Sequence, residues 1–514
     1  MESGQQQTVT DNRSGRAGAQ PDDKALELAP PRYDQPDQLP IAGVWRVGRS
    51  GNAMPDYNPY TGETLLSLTG ADARDVDDAY QEAQKLHRAW AAVRPQDRRT
   101  LLMRAALILE ARKEEILDWL IKESGSTRTK ALIEWRYTQL GMLEAASLPF
   151  HVEGKILPAS IPGKENRVYR NPIGVVGVIS PWNFPLHLTN RSVAPALAVG
   201  NTVVIKPASD TPVTGGLLLA RIFEEAGLPP GVLSVVVGGG KDIGDAFSDH
   251  PIPRVISFTG STDVGRRVAE HAGRNTKRVC LELGGNTPFI VLDDADLDLA
   301  VRAAVAGKFL HQGQICLAVN RILVDARHRD EFQKRFVERV EQLKVGNPAD
   351  ADTAIGPIIN RTQLDNILRK VDDTLAQGAR ALLRGQPSGL VLPPIVLADV
   401  TNDMPAAKQE VFGPVAPILS FDGEEEAIRI ANDTEYGLSS AVFTRDVERG
   451  LHIAKRLEVG MTHINDWPIN DEPNTAFGGE KASGLGRFGG EWALDEFTTH
   501  HWISVQGKPR TYPI

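Results

Sequence analysis

The run Ile173-Gly174-Val175-Val176-Gly177-Val178-Ile179 decides the fold. It is β-branched at every position except its two glycines and shows no polar alternation, so it reads as a strand covered on both faces. Val203-Val204-Ile205 is a second such strand. Between Thr211 and Gly227 the spacing predicts a helix with Thr211 as N-cap and Pro212 at its first position; Gly227 lies past its end, ahead of Pro229 and Pro230. Val232 to Val237, Val255 to Phe258 and Val279 to Leu283 follow as further strands. Strands alternating with helices predict a parallel α/β sheet with both faces covered.

Outward from that core, the N-terminal side reads as a helical layer. Val76, Ala79, Tyr80, Ala83, Leu86 and Trp90 recur at three- and four-residue steps, with similar patterns at Leu101 to Leu109 and Ile116 to Leu120. Residues 1–38 hold few aliphatics and many Gln, Gly, Asp and Pro, and read as a flexible arm. At 514 residues the chain exceeds one ordinary domain. With 41% hydrophobic and 24% charged residues it is a globular composition. The net charge of −9 gives no footing for nucleic acid or an anionic membrane, and no 18-residue apolar run predicts a membrane span. Cys280 and Cys316, the two cysteines, have no metal-ligand spacing and imply a reducing, cytoplasmic setting. The 11 histidines show no paired helical spacing and read as solvated or packing residues, so no metal is expected.

In sheets of this kind ligands bind beyond the carboxyl ends of the strands. The turns there are Pro181-Trp182-Asn183-Phe184-Pro185, Lys206-Pro207-Ala208-Ser209, Phe258-Thr259-Gly260-Ser261-Thr262-Asp263-Val264-Gly265 and Glu282-Leu283-Gly284-Gly285. Downstream stand Gly313-Gln314-Ile315-Cys316 and Glu410-Val411-Phe412-Gly413-Pro414. Singly, each has an ordinary structural reading: Gly260-Ser261 as a helix cap, Cys316 as a small hydrophobe, Glu282 as a structural carboxylate. Gly238-Gly239-Gly240 with Gly244 departs from the Gly-x-Gly-x-x-Gly dinucleotide loop.

Together, in this order and spacing, they resemble the NAD(P)-dependent aldehyde dehydrogenase superfamily from about Tyr57 to Trp502. Asn183 lies 23 residues before Lys206 and 133 before Cys316, and Glu282 lies 34 before Cys316. Gly346-Asn347-Pro348, Ile355-Gly356-Pro357, Asn432 with Tyr436-Gly437-Leu438, and Phe477-Gly478-Gly479-x-Lys481-x-Ser483-Gly484 match as well.

The resemblance implies Cys316 as nucleophile, Asn183 with the Cys316 N–H as oxyanion hole, and Glu282 as the base that activates water against the thioester. It implies Ile179 and Trp182 beside the adenosine, Lys206 on its ribose with Ser209 three residues on, and Gly240 and Gly244 on the adenine side. Ser261 would hold the pyrophosphate, Leu283 would adjoin the cofactor, Glu410 would bind the nicotinamide ribose and Phe412 would support the nicotinamide. The implied fold is an α/β, Rossmann-type parallel-sheet cofactor domain at 39–153 and 173–284, an α/β catalytic domain at 285–484, and a small oligomerisation β-element at 154–172 and 485–514. A homodimer or homotetramer is expected.

The wording of His311-Gln312-Gly313-Gln314-Ile315-Cys316, Gly285-Asn286-Thr287-Pro288 and Arg191-Ser192-Val193-Ala194-Pro195 is most similar to the benzaldehyde and vanillin dehydrogenase branch, which implies an aromatic aldehyde substrate. Tunnel positions carried over from the family are His187, Arg191, Ile315, Leu317, Trp467 and Phe477. Ser209 stands where NAD-selective members commonly carry Glu, so both NAD and NADP are expected to work, unless the neighbouring Asp210 turns inward. A promiscuous aldehyde tunnel, a CoA-acylating enzyme and a catalytically idle binding protein are the alternatives; the joint presence of Cys316, Glu282 and Asn183 argues against the last.

Overall fold

The computed structural model describes residues 37–514, so the expected arm lies, but for its last two residues, outside the described residues. Four helices follow the opening hairpins: Ala73–Ala91, Pro95–Ala111, Lys113–Ser124 and Arg128–Ala145. The first is stopped at its start by a capping box between Asp72 and Asp75, and its apolar stripe at Val76, Ala79, Tyr80 and Ala83 is buried. Among the described residues no helix is long and apolar enough to cross a membrane.

The first sheet has six strands in the order Gly484–Leu485, Arg278–Glu282, Val255–Thr259, Val175–Ile179, Thr202–Lys206, Leu233–Val235. The other five strands are parallel to one another and Gly484–Leu485 runs antiparallel at one edge. Val175, Val176 and Val178 are buried, as a strand covered on both faces requires. At Gly177 a Cβ would come within 2.5 Å of the Tyr80 hydroxyl, so the first helix can cross here only over a glycine. Strand order reverses between Val175–Ile179, which leads the chain into one half of the sheet, and Val255–Thr259, which leads it into the other. A crevice opens beyond the ends of this pair, the place where such sheets bind ligands.

A second, seven-stranded sheet runs Arg380–Arg384, Ile395–Ala398, Val415–Phe421, Arg321–Asp325, Pro288–Val291, Ser439–Phe443, Met461–Ile464. All its pairings are parallel except that of the first two strands. Ile290, Leu323 and Val442 enter one core, while Phe289, Val291, Ile322, Val324 and Phe443 enter the core on the other face. Lys164–Pro172 pairs antiparallel with both Lys155–Leu157 and Thr498–Gln506 in a third, small sheet. Ile156, Trp502 and Ile503 remain exposed on it.

One local expectation needs correction. The segment after Thr211 opens with a wide π-type turn, Val213–Leu217, before the α-helix Leu218–Glu225, and Thr211 Oγ1 is buried with no partner. The cap comes from Glu123, whose carboxylate accepts the Val213 and Thr214 N–H groups at 2.7 and 2.8 Å. A carboxyl group 90 residues away in sequence displaces the local hydroxyl because its two oxygens accept both N–H groups at once.

Candidate active site

Asn183 leaves the first sheet just after Val175–Ile179 and is buried. Its side-chain Nδ2 donates to the Gln314 carbonyl at 3.0 Å. The helix Pro185–Ala198 begins two residues later and is buried throughout. Phe184 supplies no side-chain cap, and the buried Glu134 accepts the Leu186 and His187 N–H groups instead, at 2.9 and 3.3 Å. Glu134 is in turn paired with Lys130 at 2.5 Å.

Cys316 follows three consecutive left-handed residues, His311, Gln312 and Gly313. That strain is held by side chains: Gln312 Nε2 donates to the Pro357 carbonyl at 2.8 Å, and Gln314 Oε1 accepts the Ile359 N–H at 3.0 Å. A Cβ at Gly313 would meet the Gly413 carbonyl oxygen at 2.2 Å, so only glycine fits there. Glu282 ends the strand Arg278–Glu282 fully buried. Burial raises its pKa, which Arg191 and the facing Cys316 thiol offset in part. Burial and the Glu282 charge push the Cys316 thiol well above its ordinary value. Both cysteines are free.

Two hollows meet at Cys316. The larger, about 220 Å³, is lined by Trp182, Asn183, Gly260, Ser261, Glu282, Leu283, Cys316, Glu410 and Phe412. Pro181, Leu188, Thr259, Gly284, Gln363 and Lys370 complete its wall. Phe412 meets Trp182 edge-on at 5.4 Å. Glu410 accepts the Gly285 N–H at 3.0 Å, and burial pushes its pKa up to about 7. The second hollow is small and mainly apolar, walled by Tyr137, Phe184, His187, Leu188, Ile315, Leu317, Ile469, Asp471 and Phe477, with Asn183 and Cys316 at its inner end.

The larger hollow fits a nicotinamide dinucleotide. Ser261 caps the helix Thr262–Arg274 without using its side chain, leaving its hydroxyl and the first-turn N–H groups for an anion such as a pyrophosphate. A Cβ at Gly265 would lie 2.3 Å from Leu283, so the helix sits tight against the wall. Lys206 ends the neighbouring strand in register with Ile179, and among the described residues no carboxylate pairs with it.

Of the sequence-derived positions, Cys316, Glu282, Asn183, Trp182, Ser261, Leu283, Glu410 and Phe412 come together around the larger hollow. Ile179, Lys206 and Ser209 lie at or just beyond strand ends next to it, and Gly240 and Gly244 are exposed outside its wall. His187, Ile315, Leu317 and Phe477 line the second hollow, whereas Trp467 packs on the surrounding cluster and not on the hollow itself. Arg191 is also off its wall: Asp471 at 3.2 Å and Glu282 at 3.3 Å hold its guanidinium between the rings of Phe477 and Phe488. Sequence reading missed Asp471, Tyr137, Gln363 and Lys370. Asp471 reaches His187 and Arg191 across 284 and 280 residues, which no local pattern signals.

Comparison with known proteins agrees with this geometry. The pattern of the aldehyde dehydrogenase family matches residues 45–503. The chain is 50% identical over 482 residues to benzaldehyde dehydrogenase YfmT of Bacillus subtilis, covering 94% of this chain and 99% of that one. It is 52% identical over 468 residues to a vanillin dehydrogenase of Corynebacterium glutamicum, covering 91% and 97%. The crystal structure of an NAD-dependent benzaldehyde dehydrogenase from Corynebacterium glutamicum superposes with a TM-score of 0.86 at 48% identity, covering 92% of this chain and 97% of that one. By matched length, identity and fold, this chain belongs to the aldehyde dehydrogenase family.

Proposed function

We propose that the chain oxidises an aromatic aldehyde to the carboxylic acid with NAD, and accepts NADP as well. The observation that carries this is the position of Cys316, which lines both the larger hollow, with its Ser261 helix start and Glu410, and the small apolar one, so that one thiol faces a cofactor on one side and a flat ring on the other. The names of the relatives, benzaldehyde and vanillin dehydrogenases, support the aromatic reading.

A nicotinamide dinucleotide, when bound, supplies the hydride acceptor. Ser261 and the first-turn N–H groups of its helix would hold the pyrophosphate, Lys206 and Ser209 the adenosine ribose, and Glu410 the other ribose. Cys316 Sγ adds to the aldehyde carbon, its proton passing to water, and the new oxyanion takes hydrogen bonds from the Cys316 N–H and the Asn183 amide. Asn183 has two N–H bonds; one is spent on Gln314, which aims the other. After oxidation the acyl group is left as a thioester. Glu282 then removes a proton from water as its oxygen attacks the thioester carbon, the C–S bond breaks, and Cys316 leaves as a thiolate.

Acceptance of NADP is supported by Ser209, which is exposed and neutral, and by Asp210, whose Oδ1 takes a hydrogen bond from Asn360 at 3.1 Å in a partly buried pocket. That placement occupies the carboxylate that would otherwise repel a 2′-phosphate. Assembly into a homodimer or a dimer of dimers is supported by the exposed Ile156, Trp502 and Ile503 on the small sheet. Two free cysteines suit a cytoplasmic setting.

The test is a kcat/KM panel of benzaldehyde, its hydroxylated relatives and propanal, with each cofactor, followed through the absorbance of the reduced dinucleotide. Higher kcat/KM for the aromatic aldehydes is expected. A propanal value above all of them would defeat the aromatic reading.

A further inference from the structure

Among the described residues Arg191 is the one cation in direct contact with Glu282, and the geometry around it is that of a fixed counter-ion. Its side chain is 6% exposed, its Nη2 donates to Glu282 Oε2 at 3.3 Å and its Nη1 to Asp471 Oδ2 at 3.2 Å. The Phe477 and Phe488 rings lie 4.2 and 4.6 Å from the guanidinium carbon and add cation–π contacts to the two ion pairs. Asp471 Oδ2 is also 2.7 Å from His187 Nε2. Glu282 Oε1, by contrast, is buried and takes no hydrogen bond from a nitrogen donor, and the carboxylate faces the Cys316 thiol. One carboxylate oxygen is therefore tied down and the other is left for a proton.

We propose that Arg191 is a positioning residue for deacylation, holding Glu282 by Oε2 so that Oε1 meets the attacking water, and that Asp471 tunes this hold by sharing the same guanidinium. The proposal rests on Glu282 as the base. It gives Arg191 a role behind the base in place of a substrate contact, and Asp471 a role the sequence did not disclose.

The charges that face Glu282 come from four elements: Arg191 on the helix Pro185–Ala198, Asp471 on the loop ahead of Phe477, the Cys316 thiol, and Glu410. Arg191 favours the ionised base and Asp471 opposes it. The two substitutions therefore act in opposite directions. Without Arg191 the base ionises at a higher pH; without the Asp471 charge it ionises at a lower one. A residue that merely filled space would move neither.

The experiment is a single turnover of benzaldehyde with NAD, the burst of reduced cofactor read by absorbance and the decay of the acyl group on Cys316 by intact-mass spectrometry, from pH 5 to 9. Arg191→Met is expected to keep the burst within about twofold of wild type while the acyl-enzyme decays at least tenfold more slowly at pH 7, with its acid limb moved up by about a unit or more. Arg191→Lys should recover most of the rate, and Asp471→Asn should move the limb down. These last two keep the buried site charged or polar, so they remain informative if Arg191→Met does not fold. A lost burst in Arg191→Met that Arg191→Lys does not recover, an unmoved limb, or limbs moving the same way in Arg191→Met and Asp471→Asn, overturns the proposal. Glu282→Gln is the control. If it stalls as acyl-enzyme while the Arg191 limb is unmoved, only this proposal fails; if it decays at the wild-type rate, the assignment of the base fails too.

Discussion

Asn183 donates its side-chain amide to the carbonyl of Gln314, two residues before Cys316, at 3.0 Å. The bond ties the loop after the strand Val175–Ile179 to the loop that carries Cys316, so the proposed oxyanion donor and the thiol are set by one contact across 131 residues. Replacing Asn183 by Ala removes both the donor and the tie. We expect kcat to fall about 10²- to 10³-fold, equivalent to about 3 to 4 kcal/mol of transition-state stabilisation. Burst rates with benzaldehyde would check this; a loss below about fivefold would remove Asn183 from the oxyanion hole.

Cys316→Ala should abolish oxidation, whereas Glu282→Gln should give one burst of reduced cofactor and then stall. The pH dependence follows from burial, which raises the Glu282 pKa. A base acts only when ionised, so acyl-enzyme hydrolysis is complete above that raised pKa and is lost as the pH falls through it. The acid limb of the wild-type decay should therefore lie above the ordinary glutamate value of about 4.3. A limb at or below that value would show that Glu282 does not limit the step.

NAD and NADP should differ by less than about a hundredfold in kcat/KM, under about 2.7 kcal/mol. Ser209→Glu should damage NADP use selectively, since a carboxylate there would repel the 2′-phosphate. Wild-type enzyme inert with saturating NADP, or an unchanged cofactor ratio in the variant, would take Ser209 out of this choice.

Arg321 is fully buried and donates to the carbonyls of Asn286, Ile430 and Ala431 and to Asn402 Oδ1. Arg321→Met strands these acceptors without water. A stability loss of about 3 kcal/mol or more is expected, measured as a lower urea midpoint of the second-sheet unit. A midpoint within error of wild type would contradict it.

Sedimentation at micromolar concentration should give a species of at least twice the 56.0 kDa chain mass. Trp502→Glu together with Ile503→Lys, placed on the exposed strand, should shift it towards monomer. A wild-type monomer would rule out assembly through the small sheet.

How much of this was legible in the sequence depended on the range of the forces involved. The strands from Val175 to Glu282 were readable because burial on both faces forces continuous β-branched runs, a constraint each segment expresses by itself. Ser261 was readable because a helix start after a strand end is a local event. That Cys316, Glu282 and Asn183 meet in one hollow is legible from their spacing and type, because the family resemblance ties those positions to one site. The cap expected of Thr211 is supplied instead by Glu123, whose two carboxyl oxygens arrive from another helix.

The sequence alone thus determined the α/β architecture and the kind of chemistry, since strand burial and the needs of a thiol nucleophile are written in residue type and local order. The tertiary structure alone decided which charge faces which. Arg191 sits beside Phe477 and Phe488 and between Glu282 and Asp471 only because the fold brings the end of the strand Arg278–Glu282 and the loop carrying Asp471 to the helix Pro185–Ala198. Away from water an ion must find its counter-charge wherever the fold brings one, and that distance has no trace in the chain's order.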